Sequence, residues 1–165
     1  MKKISQKKQS SDLLSKKLRY VVAVFALAGL VLSLYLLRDH FQPAPSFCDI
    51  NARVSCAAVN ASSYSVIFGI PVALIGAIHY AALLLIMLFL ASLVRLLGVD
   101  EKTLYALLLV ELSLGVLFSG YLTAIEAFVL KTYCPLCLFS AGLSVASLII
   151  VAWLWRRSPE GHREY

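Results

Sequence analysis

Apolar positions in this chain come in long blocks. Four runs are apolar on all sides: Tyr20 to Leu37, Pro71 to Leu97, Thr103 to Leu130 and Cys134 to Trp155. A helix that is apolar all round must be buried in protein or lipid. Crossing a hydrocarbon core roughly 30 Å thick takes about 20 such residues. The apolar stretch that begins at Tyr64 is too long for one crossing, because its 34 residues to Leu97 would reach about 51 Å at a helical rise of about 1.5 Å each. Gly69 and Pro71 divide it, since proline lacks an N–H and crowds the preceding turn. Ala57 to Phe68 is read as a short helix at the interface. The pattern therefore predicts an all-α integral membrane protein, a four-transmembrane-helix bundle in one domain (residues 20–155). An outer loop, residues 38–70, carries the short interfacial helix between spans 1 and 2. Residues 1–19 read as a solvated basic tail and 156–165 as a second tail. The stretch "HFQPAPS" reads as an extended loop by its prolines.

Composition agrees that lipid is the main solvent. The chain is 61% hydrophobic with a mean hydropathy of +0.85, whereas soluble chains are only about half apolar. Its formal charge of +6 collects at the ends, in Lys2, Lys3, Lys7, Lys8, Lys16, Lys17 and Arg19 and again in Arg156, Arg157 and Arg163. Basic tails suit nucleic acid, but basic flanks of membrane spans stay cytoplasmic. With the N-terminus inside, four crossings return the C-terminus inside. The segment from Arg38 to Ser63 and the link around Lys131 then face outward, to the extracytoplasmic side. A competing reading makes the first run a cleaved signal peptide, with Ala44 and Ser46 permitting cleavage after Ser46. The run is longer than a signal core, and Arg38, Asp39 and His40 follow it directly.

Both cysteine pairs fall on that outer side: Cys48 with Cys56 in "CDINARVSC", and Cys134 with Cys137 in "CPLC". Disulfides persist outside the bacterial cytosol, so two structural staples are one reading. That suits the nine-residue loop and suits "CPLC" poorly, because disulfide stabilisation grows with loop length. A four-thiolate zinc site is a third reading, although seven intervening residues are loose for one of its pairs. Position favours redox chemistry. Cys134 falls at the first turn of the fourth helix, where free N–H groups and the helix dipole favour a thiolate, with Lys131 nearby. Pro135 suits the helix start, where a missing N–H costs nothing. Cys137, three residues on, shares a face with Cys134 and is expected to lie deeper.

The order of these features resembles the vitamin K epoxide reductase family, in its bacterial disulfide-forming branch. The resemblance covers about Tyr20 to Ile150. It rests on the spaced pair in "CDINARVSC", Ser62 six residues later, "FGIP", and "YLTAIEAFVLKTYCPLC" opening the fourth span. The quinone-linked oxidases typified by DsbB also have four spans and two pairs, but there the short pair comes first. The resemblance implies a four-helix bundle around a quinone (ubiquinone or menaquinone), capped by the outer loop. It implies a thiol oxidase whose catalytic residues are Cys48, Cys56, Cys134 and Cys137. A reduced DsbA-like thioredoxin-fold partner attacks the Cys48–Cys56 disulfide, Cys56 attacks Cys134, and Cys137 faces the quinone. Ser62 carries over as a hydrogen-bond donor near the quinone or the thiolates, against the plainer reading of a turn serine satisfying backbone. Tyr80 carries over as a cofactor-pocket residue. Vertebrate members have an asparagine and a tyrosine where Val72 and Ala141 stand here, which favours simple quinone reduction over epoxide reduction.

Five further polar or aromatic residues lie in the spans. Glu111 is expected toward the cytoplasmic half, away from both pairs, protonated and bonded to a neighbouring helix. Glu126, eight residues before Cys134, reads as an interfacial acid in water or a proton acceptor for the thiols. His79 reads as core packing, and Trp153 with Trp155 as an inner aromatic belt. No metal-ligand set is assigned.

Overall fold

The computed structural model describes residues 2–42 and 48–158, with side chains from residue 13 onward. Most of the proline loop, the candidate cleavage site at Ala44 to Ser46 and residues 159–165 of the C-terminal tail lie outside the described residues. Four helices are long and apolar enough to cross a membrane. They are α1 (Lys2–Phe41), α3 (Val72–Leu97), α4 (Glu101–Ala124) and α5 (Pro135–Arg157), with a short α2 (Cys56–Asn60) in the first connection. The protein is an all-α, four-span bundle.

The helix of the first span continues back through the basic segment to Lys2. One local expectation needs correcting. The interfacial helix expected over Ala57 to Phe68 is only Cys56–Asn60; a 3-10 turn (Ser63–Ser65) and a small hairpin come next, β1 (Val66–Ile67) with β2 (Ile70–Pro71). Phe68 and Gly69 join the strands, both at positive φ (51° and 81°). A two-residue hairpin loop favours this geometry because its twist matches the strands, and it calls for glycine. The β-branched pairs beside an x-Gly step thus prevail over helix continuation.

Packing sets where the site forms. α1 packs most extensively on α3 and also on α5, α4 packs on α5, and α3 meets α4 much less. The space between α3 and α4 therefore stays open. The inner half is closed by an apolar core that includes Val22, Ala26, Leu83, Leu112 and Val151, all without exposure. At the inner end Arg19 of α1 pairs with Glu101 of α4. Lys102 lies 5.7 Å from the Trp155 ring centre and Arg157 4.0 Å from that of Trp153, contacts that favour the cation where water is scarce. Apolar side chains such as Leu27, Val31, Val110 and Leu117 point outward, as lipid-facing positions do.

Tyr80 ties three helices together. Its hydroxyl donates to the Ser140 carbonyl at 2.6 Å and meets the Ser140 and Ser144 hydroxyls at 2.9 and 2.8 Å. Gly29 of α1 lies against the ring, and a Cβ built there would sit 2.4 Å from ring carbons. Alanine normally improves a helix interior over glycine by about 1 kcal/mol. Here Gly29→Ala is expected to destabilise by about 1–3 kcal/mol through overpacking, read as a lower thermal unfolding midpoint in detergent. A raised midpoint would show that the Tyr80 ring is not fixed where the bundle holds it.

Candidate active site

The outer loop is held on the bundle by backbone pairing. Val54 bridges Tyr133 in parallel register. The Tyr133 N–H donates to the Arg53 carbonyl at 2.8 Å, and the Ser55 N–H donates to the Tyr133 carbonyl at 3.1 Å. Thr132 adds a hydroxyl bond to the Ala52 carbonyl at 3.0 Å. This register sets Ser55–Cys56 alongside Tyr133–Cys134. The loop is stiffened locally as well: Ser55 caps α2 by accepting the Ala58 N–H at 3.0 Å, and Asp49 accepts the Ser55 hydroxyl and the Ala57 N–H. Capping of this kind satisfies amides that a helix start leaves free.

The four cysteines meet as a result. Cys48 and Cys56 are joined in a disulfide, while Cys134 and Cys137 are free thiols. Cys48, Cys56 and Cys134 share one buried cluster with Leu36, and Cys137 packs against it. The Cys48–Cys56 bond takes two sulfurs out of a four-thiolate zinc arrangement. Cys134 is the N-cap of α5 with Pro135 at the first helical position, and its sulfur accepts the Cys137 N–H at 3.2 Å. Of the helix pair, Cys134 is sealed at 0% exposure, whereas Cys137 opens onto a cavity.

That cavity, about 470 Å³, occupies the gap between α3 and α4 and is walled by α1 and α5. Its lining is predominantly apolar, with Val72, Ile75, Leu114, Phe118 and Leu122 among the contributors. Ser62 borders it, but the Ser62 hydroxyl donates to the Val59 carbonyl at 2.7 Å, the plainer turn-serine geometry. Tyr80 borders it too, its hydroxyl turned to Ser140 and Ser144. Val72 lines the space; Ala141 is not among the lining residues.

One acid lies where the sequence did not put it. Glu126 is buried at 3% exposure, not an interfacial acid in water. The last turn of the third span is a π-helix, Ile125–Leu130, ended by Lys131 in the left-handed region. The Lys131 and Thr132 amides both return to the Glu126 carbonyl. This wider turn points the Glu126 side chain at α5, where Oε2 accepts the Cys134 N–H at 2.9 Å and the carboxyl reaches the Cys137 thiol. π-Turns of this kind recur at functional sites. Glu111 borders the same cavity, but on the order of 20 Å along the helix from Glu126 and so away from the helix pair, as its place in the span implies. It pairs with Nδ1 of His79, which is therefore more than core packing. Spacing alone could not show either contact, because one depends on a change of helix type and the other on the gap between α3 and α4. Among the described residues, no group of three or more His, Cys, Asp or Glu side chains is placed to hold a metal ion.

A disulfide packed on a CxxC thiol pair, inside a four-span bundle, defines a membrane thiol–disulfide oxidoreductase. The family model described as Vitamin K epoxide reductase family matches residues 20–152, and the chain belongs to that family. Comparison with curated proteins returns no match. Members of the family use quinones as redox partners, and the cavity suits such a group. It is mostly apolar, open between α3 and α4, of a size that ordinary ligand pockets have, and it carries a reactive sulfur on its wall.

The pairing of residues 53–55 with Tyr133 makes a direct prediction. Tyr133→Pro deletes one N–H from the bridge while keeping every cysteine. Losing a hydrogen bond worth about 1 kcal/mol is expected to raise local opening, and with it maleimide labelling of Cys134, roughly fivefold. An unchanged labelling rate would mean that the bridge does not hold the loop down.

Proposed function

We propose that this protein is a quinone-dependent thiol oxidase that re-oxidises a DsbA-like thioredoxin-fold disulfide donor. It works from the outer face of a bacterial cytoplasmic membrane, with both termini inside. One observation carries the reading: backbone pairing holds the Cys48–Cys56 disulfide against Cys134, while Cys137 opens onto an apolar cavity. The orientation rests on charge, since Lys16, Lys17, Arg19, Arg95, Lys102, Arg156 and Arg157 all lie toward the bundle end opposite the cysteines.

The electron route follows thiol–disulfide exchange, in which a thiolate attacks one sulfur and expels the other. A partner thiolate attacks Cys48 and frees Cys56. Cys56 attacks Cys134 of an oxidised helix pair, and Cys137 leaves as a thiolate. The partner's second thiol releases Cys48 and the partner departs oxidised. Cys48 then attacks Cys56, which restores the loop disulfide and leaves Cys134 and Cys137 reduced. A quinone in the cavity supplies the two-electron, two-proton acceptor. Ile75, Leu114 and Phe118 would hold its ring, and the gap between α3 and α4 would admit it from lipid. Val72 offers that ring no hydrogen bond, which favours quinone over epoxide reduction.

Two pairs are needed because two solvents are involved. A soluble partner cannot enter the bundle, and a quinone does not leave lipid. Cys48 is 3% exposed and Cys56 is sealed, so the loop must lift for the partner to reach its disulfide. Purified protein given ubiquinone or menaquinone should oxidise a reduced thioredoxin-fold partner. Each of the four Cys→Ala changes should stop turnover, and Cys137→Ala should accumulate a Cys56–Cys134 linkage visible in peptide mass spectra. Full turnover without Cys137 would end this mechanism. Rescue of disulfide formation in a bacterium lacking its own quinone-linked oxidase tests the same reading in cells.

A further inference from the structure

The reaction has a proton problem that the cysteines do not solve. Oxidising the helix pair breaks two S–H bonds and forms one S–S bond. Two electrons and two protons must leave together for the acceptor to become a hydroquinone. Cys134 has no exposure and Cys137 faces an apolar cavity, so bulk water is poorly placed to carry protons away. A proton carrier must lie within hydrogen-bond reach of the sulfur it serves.

Few titratable groups border that cavity. The Tyr80 hydroxyl is committed to Ser140 and Ser144. His79 and Glu111 are committed to each other. Glu111 lies fifteen residues before Glu126, on the order of 20 Å along the helix. Tyr64 stands beyond α2, in the 3-10 turn that leads to the hairpin. Glu126 alone contacts both members of the helix pair, through the Cys134 amide and the Cys137 thiol. It is also itself a lining residue of the cavity. An acid buried at this depth is costly to keep, and its cap on the Cys134 amide could equally be made by a neutral side chain.

We propose that Glu126 is a catalytic proton carrier, which takes the thiol proton of Cys137, then the Cys134 proton relayed through the Cys137 sulfur, and passes each to the quinone oxygen in the cavity. The π-turn is the device that aims it. This rests on the quinone oxidase reading above, and the two can fail separately.

The test uses Glu126→Gln, whose amide oxygen still accepts the Cys134 N–H. Electron passage from the loop pair to the helix pair, followed by thiol trapping without quinone, should stay within about threefold of the parent protein, since no catalytic proton transfer to an acceptor is involved. Single-turnover reduction of added ubiquinone by the pre-reduced protein should fall at least about a hundredfold. Reduction at the parent rate would overturn the proposal, as would an equal loss in both steps, which marks a structural role. Failure of the parent protein itself to reduce quinone would instead overturn the oxidase reading.

A second measurement does not depend on that variant folding. Infrared difference spectra of the parent protein, taken through quinone reduction, should show a transient carboxylic-acid carbonyl band. That band should persist in Glu111→Gln. Its absence from the parent protein, or its loss in Glu111→Gln, would assign the proton to another group and end the proposal.

Discussion

The site depends on one short piece of backbone pairing. Residues 53–55 run beside Tyr133 in parallel register, and each strand leads straight into a cysteine. Backbone amides and carbonyls carry most of the pairing, and the Thr132 hydroxyl adds a side-chain bond to the Ala52 carbonyl. Each bond is individually modest, worth about 1 kcal/mol net. Their effect is large because they join segments about eighty residues apart at the place where sulfur must meet sulfur. A small interaction that is easily broken also suits a loop that must lift and return. A covalent tie or a large apolar interface would align the cysteines equally well and would then hold the disulfide out of reach.

The same economy applies at the top of α5. Four amides at a helix start have no partner within the helix. Here Cys134 is the N-cap, its sulfur takes one of those amides, and its own N–H goes to Glu126. Pro135 has no amide to satisfy. The groups that satisfy the helix terminus are thus the groups that do chemistry, so folding of α5 and assembly of the thiol pair are one event. The π-turn completes the arrangement from α4. An extra residue in the turn shifts the chain beyond it relative to a regular helix, and that shifted link through Lys131 brings the Cys134 amide to Glu126.

Much of this was legible in the residues, and the remainder has identifiable causes. Span number follows from apolar run length, which reflects the thickness of lipid rather than any tertiary contact. The cysteines stand out because spacing distinguishes a nine-residue loop from a two-residue gap. Glu126 was misjudged because its setting was inferred from distance to the span end, and the helix type changes just there. Glu111 bonds to a neighbouring helix as its depth implied, whereas His79 was misjudged because position along its own helix does not show which acid on the facing helix it meets. The interfacial helix was overextended across "VIFGIP", where β-branched residues around an x-Gly step form a hairpin. In each case a local irregularity decided the outcome, and a periodic reading of sequence has no term for one.

The cavity and the sulfur cluster divide the work between two environments. The cluster of Cys48, Cys56 and Cys134 is closed and apolar, which suits exchange between fixed sulfurs and keeps small thiols out. The cavity is open along the least-packed side of the bundle, which suits a ligand that arrives through lipid. Cys137 and Glu126 both reach across this boundary, one by packing and the other by hydrogen bond. Electrons can pass from the closed compartment to the open one through a single sulfur. Protons, which need a chain of hydrogen-bonding groups rather than overlap between sulfurs, require a separate carrier at the same boundary. A buried acid held by a distorted turn beside that sulfur meets this requirement, and it gives the irregular end of the third span a purpose that packing alone does not.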